Sequence, residues 1–173
     1  MFFLRRRVIS HLRKALSASL AAMAAAIFFP PVSAAQNNAA ARWALGLEYP
    51  GLSARYYFSP ASSLEARFQA ADGVSVLSAR WNCHARRQRA LLPLYGAELG
   101  AVSFKGRTSK GGGFALGIFG GVEKYFSRSF SVQADAGPYL VNIADERTQI
   151  TEGGLVFAVN FGINYYFNYG GGK

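Results

Sequence analysis

A chain of 173 residues with 51% hydrophobic content and one cysteine suits a single domain, and it excludes a small fold stapled by internal disulfides. The formal charge of +10 is partly a feature of one end, because five of the 19 basic residues and none of the 9 acidic ones fall within 1–35. The remainder carries 14 bases against 9 acids, a net +5, so the high isoelectric point is not a nucleic-acid signature and no nucleic acid is expected as a partner.

Met1 to Lys14 holds Arg5, Arg6, Arg7, Arg13 and Lys14 without an acid, and Ala15 to Phe29 is apolar. Small residues follow at Val32-Ser33-Ala34 or Ser33-Ala34-Ala35. This order is that of a secretory signal peptide, read as residues 1–35 and cleaved on export. The apolar run of fifteen residues is short for an uncleaved anchor, which needs about 20. Residues 36–41 are a small, polar lead-in, expected to be mobile. No later run approaches a transmembrane helix, so a membrane-embedded mature chain has to span by strands.

Period-two alternation then recurs along the chain. The first strand sets Trp43, Leu45, Leu47 and Tyr49 against Ala44, Gly46 and Glu48, and Pro50-Gly51 turns the chain. The second sets Leu52, Ala54, Tyr56 and Phe58 against Ser53, Arg55 and Tyr57, with a turn at Ser59 to Ser62. In the third, Leu64, Ala66, Phe68 and Ala70 oppose Glu65, Arg67 and Gln69, and Asp72-Gly73 signals a tight hairpin. The fourth, Val74 to Cys83, places Leu77, Ala79 and Trp81 against Ser78, Arg80 and Asn82. Val74 and Val76 fall out of phase, which predicts a bulge or a slipped end.

A basic connection, His84 to Arg89, leads to a fifth strand with Tyr95, Ala97, Leu99 and Ala101 against Gly96, Glu98 and Gly100; Pro93 confines its start to an unpaired position. Phe104 to Gly113 reads as a Gly-rich loop. The sixth strand sets Phe114, Leu116, Ile118 and Val122 against Ala115, Gly117, Phe119, Gly121 and Glu123. The seventh sets Phe130, Val132, Ala134, Ala136 and Leu140 against Ser131, Gln133, Asp135, Gly137 and Tyr139, with a pairing break expected at Pro138. Asn142 to Gly153 reads as the longest loop. Tyr57-Phe58-Ser59 and Tyr125-Phe126-Ser127 lead into similar strands, an echo that repeated turn chemistry explains. The last strand, Gly154 to Phe167, alternates throughout, with Leu155, Phe157, Val159, Phe161, Ile163, Tyr165 and Phe167 on one face.

Eight such strands make an antiparallel up-and-down barrel, and three features orient its faces. The apolar face carries no charge, while the other holds Glu48, Arg55, Glu65, Arg67, Glu98, Glu123 and Asp135, joined by Arg80 from the fourth strand. Turned into lipid, those charges would cost on the order of 10 kcal/mol, comparable with the stability of a whole domain. The charged face is also rich in glycine, as a narrow interior needs for clearance, and almost free of lysine, which soluble surfaces and exposed edges use freely. Trp43, Phe58, Tyr125, Phe126, Tyr165 and Phe167 at strand ends suggest an interfacial girdle. A soluble lipocalin-like barrel with the opposite orientation is the less favoured alternative. Buried charges persist only when paired, so the eight named residues are expected to form an internal ion-pair network that plugs the barrel. The alternative is a narrow channel.

Asn160, Gly162, Tyr165 and Phe167 fit the polar-x-Gly-x-x-aromatic-x-aromatic signal by which the last strand of outer-membrane barrels addresses the insertion machinery, although Asn168 to Lys173 follow it. With the signal peptide and eight strands, residues 42–168 resemble the small outer-membrane barrels of Gram-negative bacteria, the group of the OmpA transmembrane domain, OmpX and the opacity-type proteins. The resemblance implies an eight-stranded transmembrane barrel in that membrane, with 169–173 as a tail, acting as a structural or surface-interaction protein. It implies outer-membrane lipid, lipopolysaccharide and the insertion machinery as partners, an extracellular ligand that the sequence does not name, and a monomeric state.

Some small barrels modify lipid A, and such chemistry needs a nucleophile beside a base. The chain has no His-x-Ser sequence, and Cys83 and His84, adjacent residues at a strand end, point apart; no enzyme, metal or cofactor is expected. Gly106 to Gly113 lacks the Gly-Lys-Ser/Thr ending of a phosphate loop. By strand parity Lys105, Arg107 and Lys110 lie outside the cell, able to meet lipopolysaccharide phosphates, and Arg86, Arg87 and Arg89 lie on the periplasmic rim near lipid headgroups.

Overall fold

Each alternating strand carries unpaired backbone groups on both edges, and a ring is the arrangement that leaves every strand two neighbours. The computed structural model of the protein, which describes residues 43–85, 91–106, 110–127, 129–145 and 151–167, is such a ring. Its strands are β1 (Trp43–Glu48), β2 (Gly51–Ser59), β3 (Ser62–Ala71), β4 (Val74–His84), β5 (Leu91–Lys105), β6 (Lys110–Tyr125), β7 (Phe130–Asp145) and β8 (Thr151–Phe167). Each is antiparallel to the next, and β8 bonds back to β1. The expected signal peptide, lead-in and tail, with Arg86, Arg87, Arg89 and Arg107, lie outside the described residues.

Followed across the ladders from Gly46, the row runs through Ser53, Arg67, Ser78, Gly100, Ala115 and Val141 to Gly154. β1 itself pairs Gly46 with Asn164. The difference, 164 less 154, is a stagger of ten residues. In an eight-stranded ring that corresponds to a strand tilt of about 40°, with an interior wide enough for side chains or one small ligand.

The turns follow their residues. Asp72 (φ 49°) and Gly73 (φ 79°) both take the left-handed region, the geometry of a two-residue hairpin turn whose twist matches its strands. At the opposite end the echoed segments share one device: the Ser59 hydroxyl accepts the Ala61 N–H at 3.2 Å, and the Ser127 hydroxyl accepts the Ser129 N–H at 3.2 Å. The β6–β7 ladder has a gap between Gly117–Tyr139 and Gly120–Ala136, where Pro138 has no N–H to give.

Several expectations need correction. β4 keeps one register with β3 from Val74 to Cys83 and with β5 from Val74 to His84, without a bulge; Val74 and Val76 take the inward parity. The register shift falls instead in β2, between Tyr57 and Ser59. Pro93 lies inside β5, opposite Val122, and its carbonyl accepts the Ala85 N–H. Most of Phe104 to Gly113 is strand, because β5 and β6 stay paired up to Lys105 opposite Lys110. The bare glycines allow this: a Cβ on Gly111 would sit 2.7 Å from the Phe104 ring and 2.0 Å from the Ala144 carbonyl oxygen. Likewise β7 and β8 pair up to Ala144 opposite Thr151, well into the expected loop Asn142 to Gly153. Tyr125 turns inward and is buried, so it is no part of an outer girdle.

Burial is inverted relative to an ordinary core. Among the described residues, the buried side chains comprise 16 polar or charged residues and 6 hydrophobic ones, three of them tyrosines, while 24 large hydrophobics are exposed. Leu47 and Ile118 are each 63% exposed, whereas Arg55, Arg67 and Arg80 are at most 1% exposed. The polar side chains fill the ring and the apolar ones clothe it.

Candidate functional site

The site is the interior, and the register builds it. Arg55, Glu65, Arg80 and Glu98 stand directly opposite one another on β2, β3, β4 and β5, a row of alternating charge across four strands. Arg55 bonds Glu65 at 2.8 Å, and Arg80 bonds Glu98 at 3.0 Å. The other partners come from across the lumen, where ring closure brings distant strands together. Arg80 reaches Asp135 at 2.7 Å, Arg55 reaches Glu123 at 3.3 Å, and Arg67 bridges Glu48 and Glu98, the latter at 3.1 Å. All eight charged residues expected inside are therefore buried there, each guanidinium between two carboxylates.

Three arginines against five acids leave an excess of acceptors, and neutral donors supply it. Ser78 and Tyr139 donate to Glu98 at 2.5 and 2.7 Å, Asn82 to Glu65 at 3.0 Å, and Asn160 to Asp135 at 2.8 Å. Ser131, Asn164 and Tyr166 converge on Glu123. Gln133 joins the two halves of the network: its carbonyl accepts from Arg55 while its amide donates to Asp135 at 2.9 Å. Phe119 closes one side, with the Arg80 guanidinium 3.6 Å above its ring centroid. The glycines opposite give clearance. A Cβ on Gly117 would lie 2.3 Å from Tyr139, and one on Gly162 would lie 2.8 Å from Glu48 Cγ.

No family model and no curated protein matches the chain. The geometry carries the functional reading.

At the end holding the turns after β2 and β6, three tyrosines seal the interior. The Tyr166 hydroxyl lies 3.1 Å from those of both Tyr57 and Tyr125. His84 stacks on Tyr57 with centroids 5.2 Å apart, and its Nε2 is 3.0 Å from the Ser63 hydroxyl. This Ser–His contact was not foreseen from the sequence, where the two are 21 residues apart; inward parity at the same end of adjacent strands was its signal. Both residues are buried beneath the tyrosines. Cys83 takes the opposite parity and is half-buried on the outer face.

The remaining named residues separate by parity. Asn160 and Gly162 face inward and belong to the network just described, while Tyr165 and Phe167 face outward, edge-to-face with centroids 5.3 Å apart. Trp43 and Phe58 are exposed at the same end, packing on Tyr56 and Trp81 with centroids 4.8 and 4.9 Å apart. Lys105 and Lys110 stand opposite each other at the far end, both exposed.

Proposed function

We propose that the protein is a small outer-membrane β-barrel of a Gram-negative bacterium, exported by a cleaved signal peptide, which serves as a sealed structural or surface-interaction element of the envelope. The observation that carries this reading is the inverted burial: among the described residues, large hydrophobics are exposed on the outer face and a guanidinium–carboxylate network lies inside. In water such a surface would be a contiguous apolar patch far beyond what a soluble monomer exposes. In a bilayer the same surface is the required one, and the ladder satisfies the backbone wherever strands pair on both sides.

Trp43, Phe58, Tyr165 and Phe167 sit where one membrane interface would lie. The opposite end is then extracellular, and Lys105 and Lys110 there suit anionic lipopolysaccharide phosphates. Asn160, Gly162, Tyr165 and Phe167 suit recognition by the insertion machinery, and the ring closes within one chain, which suits a monomer. What the barrel presents outward is mainly sheet, because β5 to β8 run on as paired strands where loops were expected.

The test is membrane fractionation of the expressed protein with gel mobility of heated and unheated samples. Folded barrels resist detergent, so an outer-membrane band that shifts on heating is expected, and a soluble protein with one mobility contradicts the proposal.

A second reading, a narrow channel, draws on the continuity of the polar network from Glu48 to Tyr166. Paired guanidinium groups across the lumen favour the closed state.

A further inference from the structure

Above the ion pairs the inner face changes character. Val76, Val102, Ala115, Val141, Ile143 and Val156 all take the inward parity toward the far end, and all are half-buried. With Phe104, which lies against Gly111, they form a largely apolar cup, interrupted by Gln69 opposite Val76, whose floor is Tyr139, its ring over Gly117 and its hydroxyl on Glu98. A lumen that served only to pack ion pairs would have no reason to line this part with valines.

The wall around the cup is uneven. β5 to β8 are 15 to 17 residues long, whereas β1 and β2 have 6 and 9. β1 meets β8 only from Glu48 opposite Gly162 down to Trp43 opposite Phe167. Among the described residues, no strand pairs with the β1-side edge of β8 from Thr151 to Phe161. The Tyr166 N–H donates to the Ser129 carbonyl at 2.8 Å, which assigns the even-numbered residues of β8 to the β7 ladder. The backbone N–H and C=O groups of Leu155, Phe157 and Val159 therefore face the gap above the β1–β2 turn.

This gap opens onto the outer apolar surface. Tyr49, Leu155 and Phe157 flank it and are 72%, 71% and 60% exposed, so the cup is continuous with the band placed above in contact with acyl tails. A row of backbone donors and acceptors beside a largely apolar cup suits an occupant with a hydrogen-bonding ester or amide head and a hydrocarbon tail. A peptide strand would pair the edge but leave the cup empty. Unpaired amides against bare hydrocarbon are strongly disfavoured.

We propose that the cup holds one acyl chain of an outer-leaflet lipid, which enters sideways over the short β1–β2 hairpin while its ester or amide carbonyl accepts from the gap-facing N–H groups of β8. The inference rests on the membrane reading, and the test separates the two. The mature protein is folded into phospholipid bilayers doped with a phospholipid bearing a mid-chain diazirine, irradiated, and mapped by peptide mass spectrometry. Adducts are expected on inward Val102, Val141 and Val156 as well as on outward Leu140, Leu155 and Phe157. Adducts on the outward residues alone overturn the proposal, leave the membrane reading intact and turn attention to a partner strand at the β8 edge. Adducts on neither face overturn both.

Val156→Asp should lower the inward adducts about ten-fold and spare the outward ones; if that variant does not fold, Val141→Asn carries the same expectation. Inward adducts unaffected by either substitution overturn the proposal. Excess free fatty acid should not displace the inward adducts, and full displacement would refute a lipid source.

Discussion

The interior charges are linked through shared partners, so the consequence of losing one depends on what it leaves behind. Arg80 lies between Glu98 and Asp135 and over Phe119. Removing one partner of a buried pair costs about 3–5 kcal/mol, because the other charge stays buried without compensation. Arg80→Ala should therefore lower stability by about that amount in denaturant titrations of the protein refolded into vesicles, followed by tryptophan fluorescence. Cys83→Ala, on the outer face of the same strand, should stay within about 0.5 kcal/mol. The eight inward charges were legible in the sequence from alternation alone, and the direct pairs Arg55–Glu65 and Arg80–Glu98 need only the register of adjacent strands in addition. Arg80–Asp135 and Arg55–Glu123 were not, since they join residues 55 and 68 apart and depend on ring closure and its stagger.

The strands were readable where their two faces meet different surroundings and unreadable where they do not. Apolar residues alternating with charged, polar or glycine ones marked the middle of the strands. At the far end the alternation fades: Gly111 to Gly113 present no side chains, and Asn142 to Asp145 and Thr151 to Gly153 mix polar and apolar residues. Those segments read as loops although their backbones stay paired. The bulge expected at Val74 and Val76 has the same origin, because apolar residues inside the cup mimic a slip of phase. Glycine supplies a test at this scale. A Cβ on Gly117 would lie 2.3 Å from the Tyr139 ring, while around Gly120, on the outer face of the same strand, nothing lies within 4 Å. Gly117→Val should displace Tyr139 from Glu98 and destabilise by about 1–3 kcal/mol through overpacking. Gly120→Val should be neutral or better, and the fraction of protein that keeps the unheated gel mobility distinguishes the two.

For the molecule as a whole, orientation and closure make separate predictions. Ile118 is 63% exposed near the middle of the outer face. Ile118→Arg should cost about 2–4 kcal/mol if that face meets acyl tails, but no more than about 0.5 kcal/mol if it meets water. Unfolding titrations in vesicles read the difference. Closure predicts silence: the wild-type protein in planar bilayers should show no discrete conductance, because three arginines and five acids bridge the lumen. Discrete openings in the wild type, enlarged by Arg55→Ala or Arg67→Ala, would favour the channel reading. The most direct test of the inverted architecture uses the native tryptophans, since Trp43 and Trp81 are 49% and 50% exposed on the outer face. In vesicles of phospholipid brominated along the acyl chains, their emission should be strongly quenched relative to unbrominated vesicles. Emission unchanged by bromine, with the protein remaining in the aqueous phase, would contradict the account.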